Sequence, residues 1–287
     1  MDRAKPASSM LFLQRYWLCC LLAMGCPSVS QCANAPKDFT PLFNGKNLDG
    51  FYTWLVDSHH EDPREVFSVS DGQIRISGDG LGYLGTKKSY ENYDLYLEFR
   101  WGKKNWKWGD RIGKARDSGL FLNATGRDGN SVDGLGAFMA AIECNIFQGA
   151  TGDILLIRGR NRNNKLISPK ILANVNSNRD SDEWYTWDPI GTETSIETVG
   201  RVNWRRKATN WTDTIDFRGP NDLEAKYGEW NVLECQCRPD KITISLNGNK
   251  VNEIIPLFPQ SGKILLQCEG SEIYFRHLSI RRMTSKN

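Results

Sequence analysis

Histidine is scarce in this sequence, which limits the metal sites and catalytic centres that histidine could form. The three histidines are His59, His60 and His277, and no CxxC pair or histidine-rich spacing typical of structural zinc occurs. The sequence also has no GxSxG serine motif, no phosphate-binding glycine loop and no Cys/His nucleophile arrangement. Enzymes with a serine or cysteine nucleophile, and P-loop nucleotide enzymes, are therefore not indicated.

A strong excess of basic residues is also missing. The chain has 37 Lys and Arg against 34 Asp and Glu, a net charge of +3 over 287 residues. The basic residues are dispersed, apart from one short cluster at Arg205, Arg206 and Lys207. Nucleic-acid-binding domains usually concentrate basic residues on one face. We therefore expect no nucleic-acid partner.

The only long apolar run lies near the N-terminus, where Arg3, Lys5 and Arg15 precede "YWLCCLLAMG" at 16–25. That run is too short to span a bilayer and is typical of a signal peptide. Residues 1–35 are expected to be the signal peptide, with "ANA" at 33–35 as the cleavage site. The alternative is a lipoprotein signal ending before Cys26, whose lipid would be the only link to a membrane. Both predict export, to the periplasm, the cell surface or the medium.

No helical period longer than about two turns is found after residue 35. Short runs with alternating apolar residues recur instead, separated by Gly, Asn and Asp; "VFSVSDGQIRISG" (66–78) predicts a hairpin with its turn at Asp71-Gly72. This pattern predicts an all-β antiparallel sandwich, with residues 36–287 as a single domain. The polar, tryptophan-rich segment at about 160–228 is predicted to be a long insertion.

Four cysteines follow the leader: Cys144, Cys235, Cys237 and Cys268. Cys144 and Cys268 lie in phase with aliphatic residues of strand-like runs, which indicates buried free thiols acting as small hydrophobic groups. Export permits disulfides, so a disulfide stays open as the alternative.

Seven motifs follow one another in the order seen in a known family: "FTPLFNGKNLDGFY", "YLEFRW", "DSGLFL", "IECNIFQGATGD", "GEWNVLE", "LNGNKV" and "ILLQCEGSEIYFR". From about Phe39 to Arg281 the chain resembles the DUF1080 family, the 3-keto-disaccharide hydrolase or 3-keto-glucoside-1,2-lyase/hydratase domain. The resemblance implies a concanavalin-type, LamG-like jelly-roll sandwich of two antiparallel sheets, which agrees with the strand pattern.

The resemblance also implies a carbohydrate substrate that is already oxidised to a ketone at C3. The C2 proton then lies next to a carbonyl and can be removed by a base. Elimination expels the C1 substituent, and water can add to the resulting glucal. Ordinary glycoside hydrolysis differs, because two carboxylates flank the scissile bond and the transition state resembles an oxocarbenium ion.

Such chemistry requires a base near C2 and a group that stabilises the enolate oxygen. Three strand-like runs carry polar residues opposite an apolar face: Glu98 and Arg100, then Asn123, then Glu143 and Asn145. If the three strands are neighbours, these residues form one polar floor. We predict Glu143 and Arg100 as catalytic and the other three as substrate-binding. The alternative is that this face is merely solvated, as in many antiparallel sheets.

Two of these positions depart from the family pattern that the resemblance implies. Many members carry Arg or His at the position of Asn123 and Gln at the position of Asn145. The loss of a titratable group at Asn123 shifts the predicted role of base to Glu143.

Residues beyond these strands are further candidates. Gln148 and Asp153 lie where the "IECNIF" strand ends, and we predict them as substrate-binding, although Asp153 also suits a turn. Asp117 precedes "GLFL" and is interpreted as a turn residue rather than a rim residue. Gln267 and Glu269 lie on the polar face of a late strand, whose position relative to the groove the sequence leaves open.

Two functions and a cofactor question remain open at this point. The first hypothesis is an exported enzyme that cleaves or hydrates 3-keto-glycosides. The alternative is a non-catalytic carbohydrate-binding module of jelly-roll shape. No cofactor is certain, and a divalent metal that polarises the ketone stays an option. The acidic stretch around His59 and His60 is interpreted as a solvated loop, with a cation site as its alternative.

Overall fold

The computed structural model describes residues 36–133, 135–197 and 200–283. The predicted leader, including Cys26, lies outside the described residues. Among the described residues there is no α-helix, only a single 3₁₀ turn at Trp108–Asp110. No helix in those ranges has the length and apolar character needed to cross a bilayer.

Twenty strands account for nearly all regular structure. The first ten are β1 (Thr40–Pro41), β2 (Phe51–Leu55), β3 (Phe67–Ser70), β4 (Gln73–Ile76), β5 (Leu81–Thr86), β6 (Tyr93–Asn105), β7 (Asp117–Thr125), β8 (Ala140–Phe147), β9 (Ile154–Ile157) and β10 (Gly159–Arg160). The other ten are β11 (Leu166–Ile167), β12 (Lys170–Val175), β13 (Tyr185–Thr186), β14 (Thr192–Glu197), β15 (Arg201–Asn203), β16 (Asn231–Cys237), β17 (Ile242–Leu246), β18 (Asn249–Phe258), β19 (Lys263–Glu269) and β20 (Ser271–Arg282).

Two large sheets form the sandwich. Sheet A has the order β14-β12-β18-β17-β16-β6-β20-β4-β3, with β1 paired to β20, and sheet B has the order β13-β15-β9-β8-β7-β19-β5-β2. Among the described residues, the strand pairings are antiparallel except that of β13 with β15 at the edge of sheet B. The predicted all-β jelly-roll sandwich is confirmed, and so is the hairpin with its turn at Asp71-Gly72 between β3 and β4.

The main hydrophobic core lies between the two sheets. Alternate residues of a strand point to the same side, and one side of each strand packs into this core. Examples are Leu95, Leu97 and Phe99 from β6 in sheet A, and Leu120 and Ile142 from β7 and β8 in sheet B. The four cysteines after the leader are buried free thiols, and all four belong to this core. The interpretation as small hydrophobic groups is therefore confirmed.

The outer face of sheet B is covered as well. Phe121 and Leu265 on this face pack against Phe138 and Met139 from the segment that precedes β8. All eight residues of β8 are consequently buried, although four of them face away from the main core. A sheet that is buried on both faces can hold polar side chains away from bulk water, which an ordinary solvated face cannot do.

The segment at about 160–228, which the sequence predicted to be a long insertion, contributes strands to both sheets. It supplies β12 and β14 to the edge of sheet A and β13 and β15 to the edge of sheet B. The remainder, residues 205–228, is a connection without strands that lies between β15 and β16. This connection carries Trp211 and Asp213, which line the pocket described next.

Candidate active site

The outer face of sheet B contains a pocket of about 440 Å³. Its lining is rich in charged side chains and has two tryptophans at its wall, together with apolar residues from β9. We call it the carboxylate pocket; its polar and tryptophan lining residues are Arg111, Asp117, Asp133, Glu143, Asn145, Arg158, Trp184, Arg201, Trp211, Asp213, Gln267 and Glu269.

Strand register brings the central residues of this pocket together. Phe121 is paired with Glu143, and Gly119 is paired with Asn145, so these alternate residues of β7 and β8 share the outer face. Asp117 is two residues before Gly119 and lies on that same face. On the other side of β7, β19 contributes Gln267 and Glu269 to the lining.

Gly119 leaves the room that the Glu143 carboxyl group occupies. A Cβ atom at position 119 would lie 2.3 Å from Glu143 Oε1 and 2.8 Å from Gln267 Oε1. Both distances are shorter than van der Waals contact. The absent side chain therefore lets Glu143 and Gln267 approach each other across β7.

Three carboxyl groups with elevated pKa values lie in this pocket. Burial is the main cause at each, and repulsion between the carboxylates adds to it. Burial raises the pKa of Asp117 to about 7. Burial and the charges of Asp117 and Glu269 raise the pKa of Glu143 well above its ordinary value. Burial and the charge of Asp117 do the same for Glu269.

Two arginines oppose this negative charge. Arg201 acts electrostatically on Asp117 and Glu143 and lowers the pKa of both, while Arg111 does so for Asp117 and Glu269. Arg111 Nη1 lies 3.8 Å from Asp117 Oδ2, and the same guanidinium donates two hydrogen bonds to Asp213, at 3.0 and 3.1 Å. The pocket thus combines carboxyl groups that hold protons with fixed cations.

Arg201 is held from behind by a fully buried carboxylate. Its Nε and Nη2 atoms donate to Asp153 Oδ2 at 2.9 and 2.6 Å. Asp153 Oδ1 accepts from the Trp204 backbone N–H at 2.7 Å, and Lys207 Nζ lies 3.3 Å from Asp153 Oδ2. Two charge-assisted donors that converge on one carboxylate oxygen restrict the orientation of the guanidinium.

Several polar atoms in the pocket have no protein partner. Asn145 Oδ1 and Gln267 Oε1 are buried, and neither finds a hydrogen bond among the described residues. Buried acceptors without partners are costly, which makes them candidates for contacts with a bound ligand. The hydroxyl groups of a saccharide can donate hydrogen bonds to these acceptors.

The structure brings Glu143 and Asn145 into one pocket but places the other predicted partners elsewhere. Glu98 and Arg100 belong to β6 in sheet A, on the face that points away from the core. Arg276 Nε donates to Glu98 at 2.6 Å, and Arg100 stacks over Tyr274 at 4.3 Å. The predicted common floor is wrong, because the strands belong to different sheets with the core between them.

The remaining predicted residues are not among those that line the pocket. Asn123 lies at a bulge of β7 with a positive φ of 56°, and its Nδ2 donates to the Pro259 carbonyl at 3.0 Å. Gln148 is buried, accepts from Arg116 at 3.1 Å and donates to Asp216 at 3.2 Å. Together with Asp153, these residues contact protein groups.

Sequence reasoning missed the two arginines and misjudged Asp117. Asp117 is not a simple turn residue, because it begins β7 and lines the pocket. Asp117 and Gly119 alternate with core residues, and this alternation indicates that Asp117 lies on the same strand face as Gly119. Arg111 precedes β7 and Arg201 begins β15 at the sheet edge, so no sequence period connects them to Glu143.

No group of three or more His, Cys, Asp or Glu side chains within the described ranges has a geometry suited to a metal ion. The stretch around the paired histidines has its own contacts: His59 stacks on Trp54 at 4.6 Å, and His60 Nδ1 lies 3.0 Å from the Thr53 carbonyl oxygen.

The raised pKa values predict how stability depends on pH. A carboxyl group whose pKa is higher in the folded state binds more protons there than in the unfolded chain, so stability falls as pH rises. We expect the free energy of unfolding to fall from about pH 4 to about pH 7 because of Asp117, by on the order of 3 kcal/mol. Urea titrations over this pH range should show a flatter profile for Asp117→Asn.

The exposed Asp182 gives a matched control, and Asp182→Asn should retain the wild-type profile. A profile for Asp117→Asn that parallels that of the wild type would mean that Asp117 does not retain its proton in the folded protein.

The family model for the 3-keto-alpha-glucoside-1,2-lyase-like domain matches residues 38–281. No curated protein matches the chain. Many solved structures resemble the chain, and the following three match it at low identity over most of their length.

Two of them come from Parabacteroides distasonis ATCC 8503 and are provisionally named glycosyl hydrolases. One has 16% identity and a TM-score of 0.46 and covers 86% of this chain and 94% of its own. The other has 19% identity and a TM-score of 0.46 and covers 85% and 99%. The third, carbohydrate binding module CBM66 from Bacillus subtilis, has 11% identity and a TM-score of 0.41 and covers 81% and 95%.

The family match extends over nearly the whole described chain and includes every strand that contributes to the carboxylate pocket. It confirms the resemblance carried by the seven sequence motifs. The chain belongs to the 3-keto-alpha-glucoside-1,2-lyase-like domain family.

Proposed function

We propose that this protein is an exported enzyme that cleaves or hydrates 3-keto-glycosides by removing the C2 proton and eliminating the C1 substituent. The observation that carries the proposal is the buried Glu143 carboxyl group, which faces Arg201 and Asp117 in one pocket. Export rests on the apolar run at 16–25 that follows basic residues.

Glu143 is the proposed base. Its carboxyl group is buried and has no hydrogen-bond donor among the described residues, so its pKa lies well above the ordinary value. A higher pKa makes the ionised carboxylate a stronger base toward a carbon acid. The C2 proton of a 3-keto sugar is such an acid, because the neighbouring ketone stabilises the resulting carbanion as an enolate.

Arg201 is the proposed partner of the enolate oxygen. Its guanidinium is fixed by Asp153, and its charge already acts on Glu143 and Asp117. A cation that is held in place before the reaction stabilises the charge that develops at the C3 oxygen. This role replaces the one that the sequence suggested for Arg100, which lies on the other side of the sandwich.

Asp117 is the proposed acid. With a pKa raised to about 7, it retains a proton over part of the neutral range. In the elimination the C2–H and C1–O bonds break and a C1=C2 double bond forms. The C2 proton goes to Glu143, and Asp117 supplies a proton to the departing oxygen. Addition of water across the double bond then gives the hydrated product.

A carbohydrate-binding role without catalysis is the second candidate. Trp184 and Trp211 line the pocket, and aromatic rings commonly pack against sugar rings. In that case the unpartnered acceptors of Asn145 and Gln267 would bind hydroxyls of an unoxidised glycan. Such a protein would show saturable binding without turnover.

Replacing the proposed base should abolish turnover without changing the fold. We expect Glu143→Gln to lower kcat on 3-keto-glucosides by about 10²- to 10⁴-fold, because glutamine keeps the shape and cannot accept the proton. Product formation from a panel of 3-keto-glucosides, followed by mass spectrometry, measures this effect.

Two arginine variants supply the matched comparison. Arg201→Gln should also reduce kcat strongly, whereas Arg100→Gln should leave it within about twofold because that residue lies outside the pocket. Retained turnover in Glu143→Gln would remove this residue from the mechanism. Absence of turnover in the wild type, with saturable binding of an unoxidised glycan, would favour the second candidate.

Gly119→Ala tests whether the position of the Glu143 carboxyl group matters. The added methyl group would lie 2.3 Å from Glu143 Oε1, so the carboxyl group must move. We expect kcat to fall by at least about tenfold, since small misplacements of a catalytic group are costly. The same substitution in a Glu143→Gln background should cause little further loss, because coupled residues are not additive. Independent, additive losses would show that Gly119 acts through stability instead.

A further inference from the structure

A second pocket, of about 640 Å³, lies beside the edge strand β2 of sheet B. We call it the basic pocket; its lining includes Trp54, His59, Arg127, Asp128, Arg162 and Lys263. The segment before β8 contributes to both pockets, with residues 126–129 and Met139 in the basic pocket and Val132 and Phe138 in the carboxylate pocket.

Three cations line this pocket and have no carboxylate partner. Lys263, Arg127 and Arg162 form no ion pair among the described residues, whereas Arg111 and Arg201 in the carboxylate pocket are both paired. Burial is the main cause of the lowered pKa of Lys263; the charge of Asp128 opposes this shift, and repulsion from the like charge of Arg162 adds to it. A bound anion would relieve this repulsion.

The one carboxylate in the pocket is already engaged by two tyrosines. The hydroxyl groups of Tyr52 and Tyr83 each donate to Asp128 Oδ1 at 2.6 Å. Burial is the main cause of the raised pKa of both phenols, and Asp128 adds to it, which keeps the two hydroxyl groups as donors. Lys263 Nζ lies 4.0 Å from the centroid of the Tyr52 ring and makes a cation–π contact with it.

An aromatic surface completes the pocket. The exposed ring of His59 stacks on Trp54, with 4.6 Å between ring centroids and 10° between planes. His59 holds a positive φ of 57°, and backbone hydrogen bonds with Leu55 at 2.7 and 2.8 Å close this tight turn. Positive φ values are uncommon outside glycine and are found at binding sites more often than elsewhere.

We infer that the basic pocket binds an anionic saccharide, one that carries a carboxylate or a sulfate ester. Lys263, Arg127 and Arg162 would bind the anionic group through charge-assisted hydrogen bonds. The ring of His59, supported by Trp54, would pack against a sugar face. This site is independent of the proposed chemistry at Glu143, because it requires no reaction.

Isothermal titration calorimetry with four probes tests the inference. They are a uronate-containing trisaccharide, its carboxyl-reduced neutral counterpart, a sulfated trisaccharide and inorganic sulfate. We expect at least one charged trisaccharide to bind at least tenfold more tightly than the neutral compound. The comparison of the uronate with the sulfated compound identifies the anionic group. Binding of inorganic sulfate as tightly as the charged trisaccharides would overturn the saccharide part.

Paired arginine variants distinguish a site from general charge attraction. Arg127→Gln with Arg162→Gln removes two exposed cations from the pocket and should reduce binding at least tenfold. Arg205→Gln with Arg206→Gln removes two exposed cations outside the pocket and should change binding less than twofold. His59→Ala should weaken binding several-fold.

Equal losses in the two double variants would overturn the inference, since charge alone would then explain the binding. Equal affinity for the charged and the neutral trisaccharides would also overturn it. Turnover of neutral 3-keto-glucosides by the Arg127→Gln, Arg162→Gln protein should equal that of the wild type. Loss of anion binding can therefore be separated from failure of the proposed enzyme function.

Discussion

Mutual repulsion among Asp117, Glu143 and Glu269 is the constraint on which the rest of the site depends. Burying one carboxylate is unfavourable, and burying three together is worse unless protons or cations compensate. The fold supplies both, because the carboxyl groups have raised pKa values and Arg111 and Arg201 act on them. Carboxyl groups that repel one another share protons, so one can be ionised while a neighbour holds a proton, as proton removal and leaving-group protonation require.

The jelly roll makes this arrangement possible by burying sheet B on both faces. Its inner face packs into the main core, and its outer face lies beneath Phe138 and Met139 and beside the connection at 205–228. Strands β7, β8 and β19 therefore present carboxylates and amides from a rigid surface. Asp153 fixes the position of the Arg201 guanidinium by accepting its hydrogen bonds. Removing Asp153 would leave that guanidinium without its fixed partner.

The sequence predicted the fold class well, because several runs alternate apolar and polar residues with a period of two and are separated by turns of recognisable composition. It also identified Glu143 and Asn145, whose alternation with Ile142 and Cys144 is local information. The grouping with Glu98 was wrong because alternation shows which residues share a face, and cannot show which strands share a sheet. Arg201 escaped notice for a related reason: its place beside Glu143 depends on pairing between β15 and β9, which no local pattern encodes.

The central claim is that Glu143 removes a proton from C2 of a 3-keto sugar. The most direct test uses a 3-keto-glucoside deuterated at C2, incubated with the protein in ordinary water and with an enzyme-free control for spontaneous exchange. The account predicts that the product has lost the deuterium and that the labelled substrate reacts more slowly than the unlabelled one. A product that keeps the label would contradict the account, since the glycosidic bond would then break without any reaction at C2.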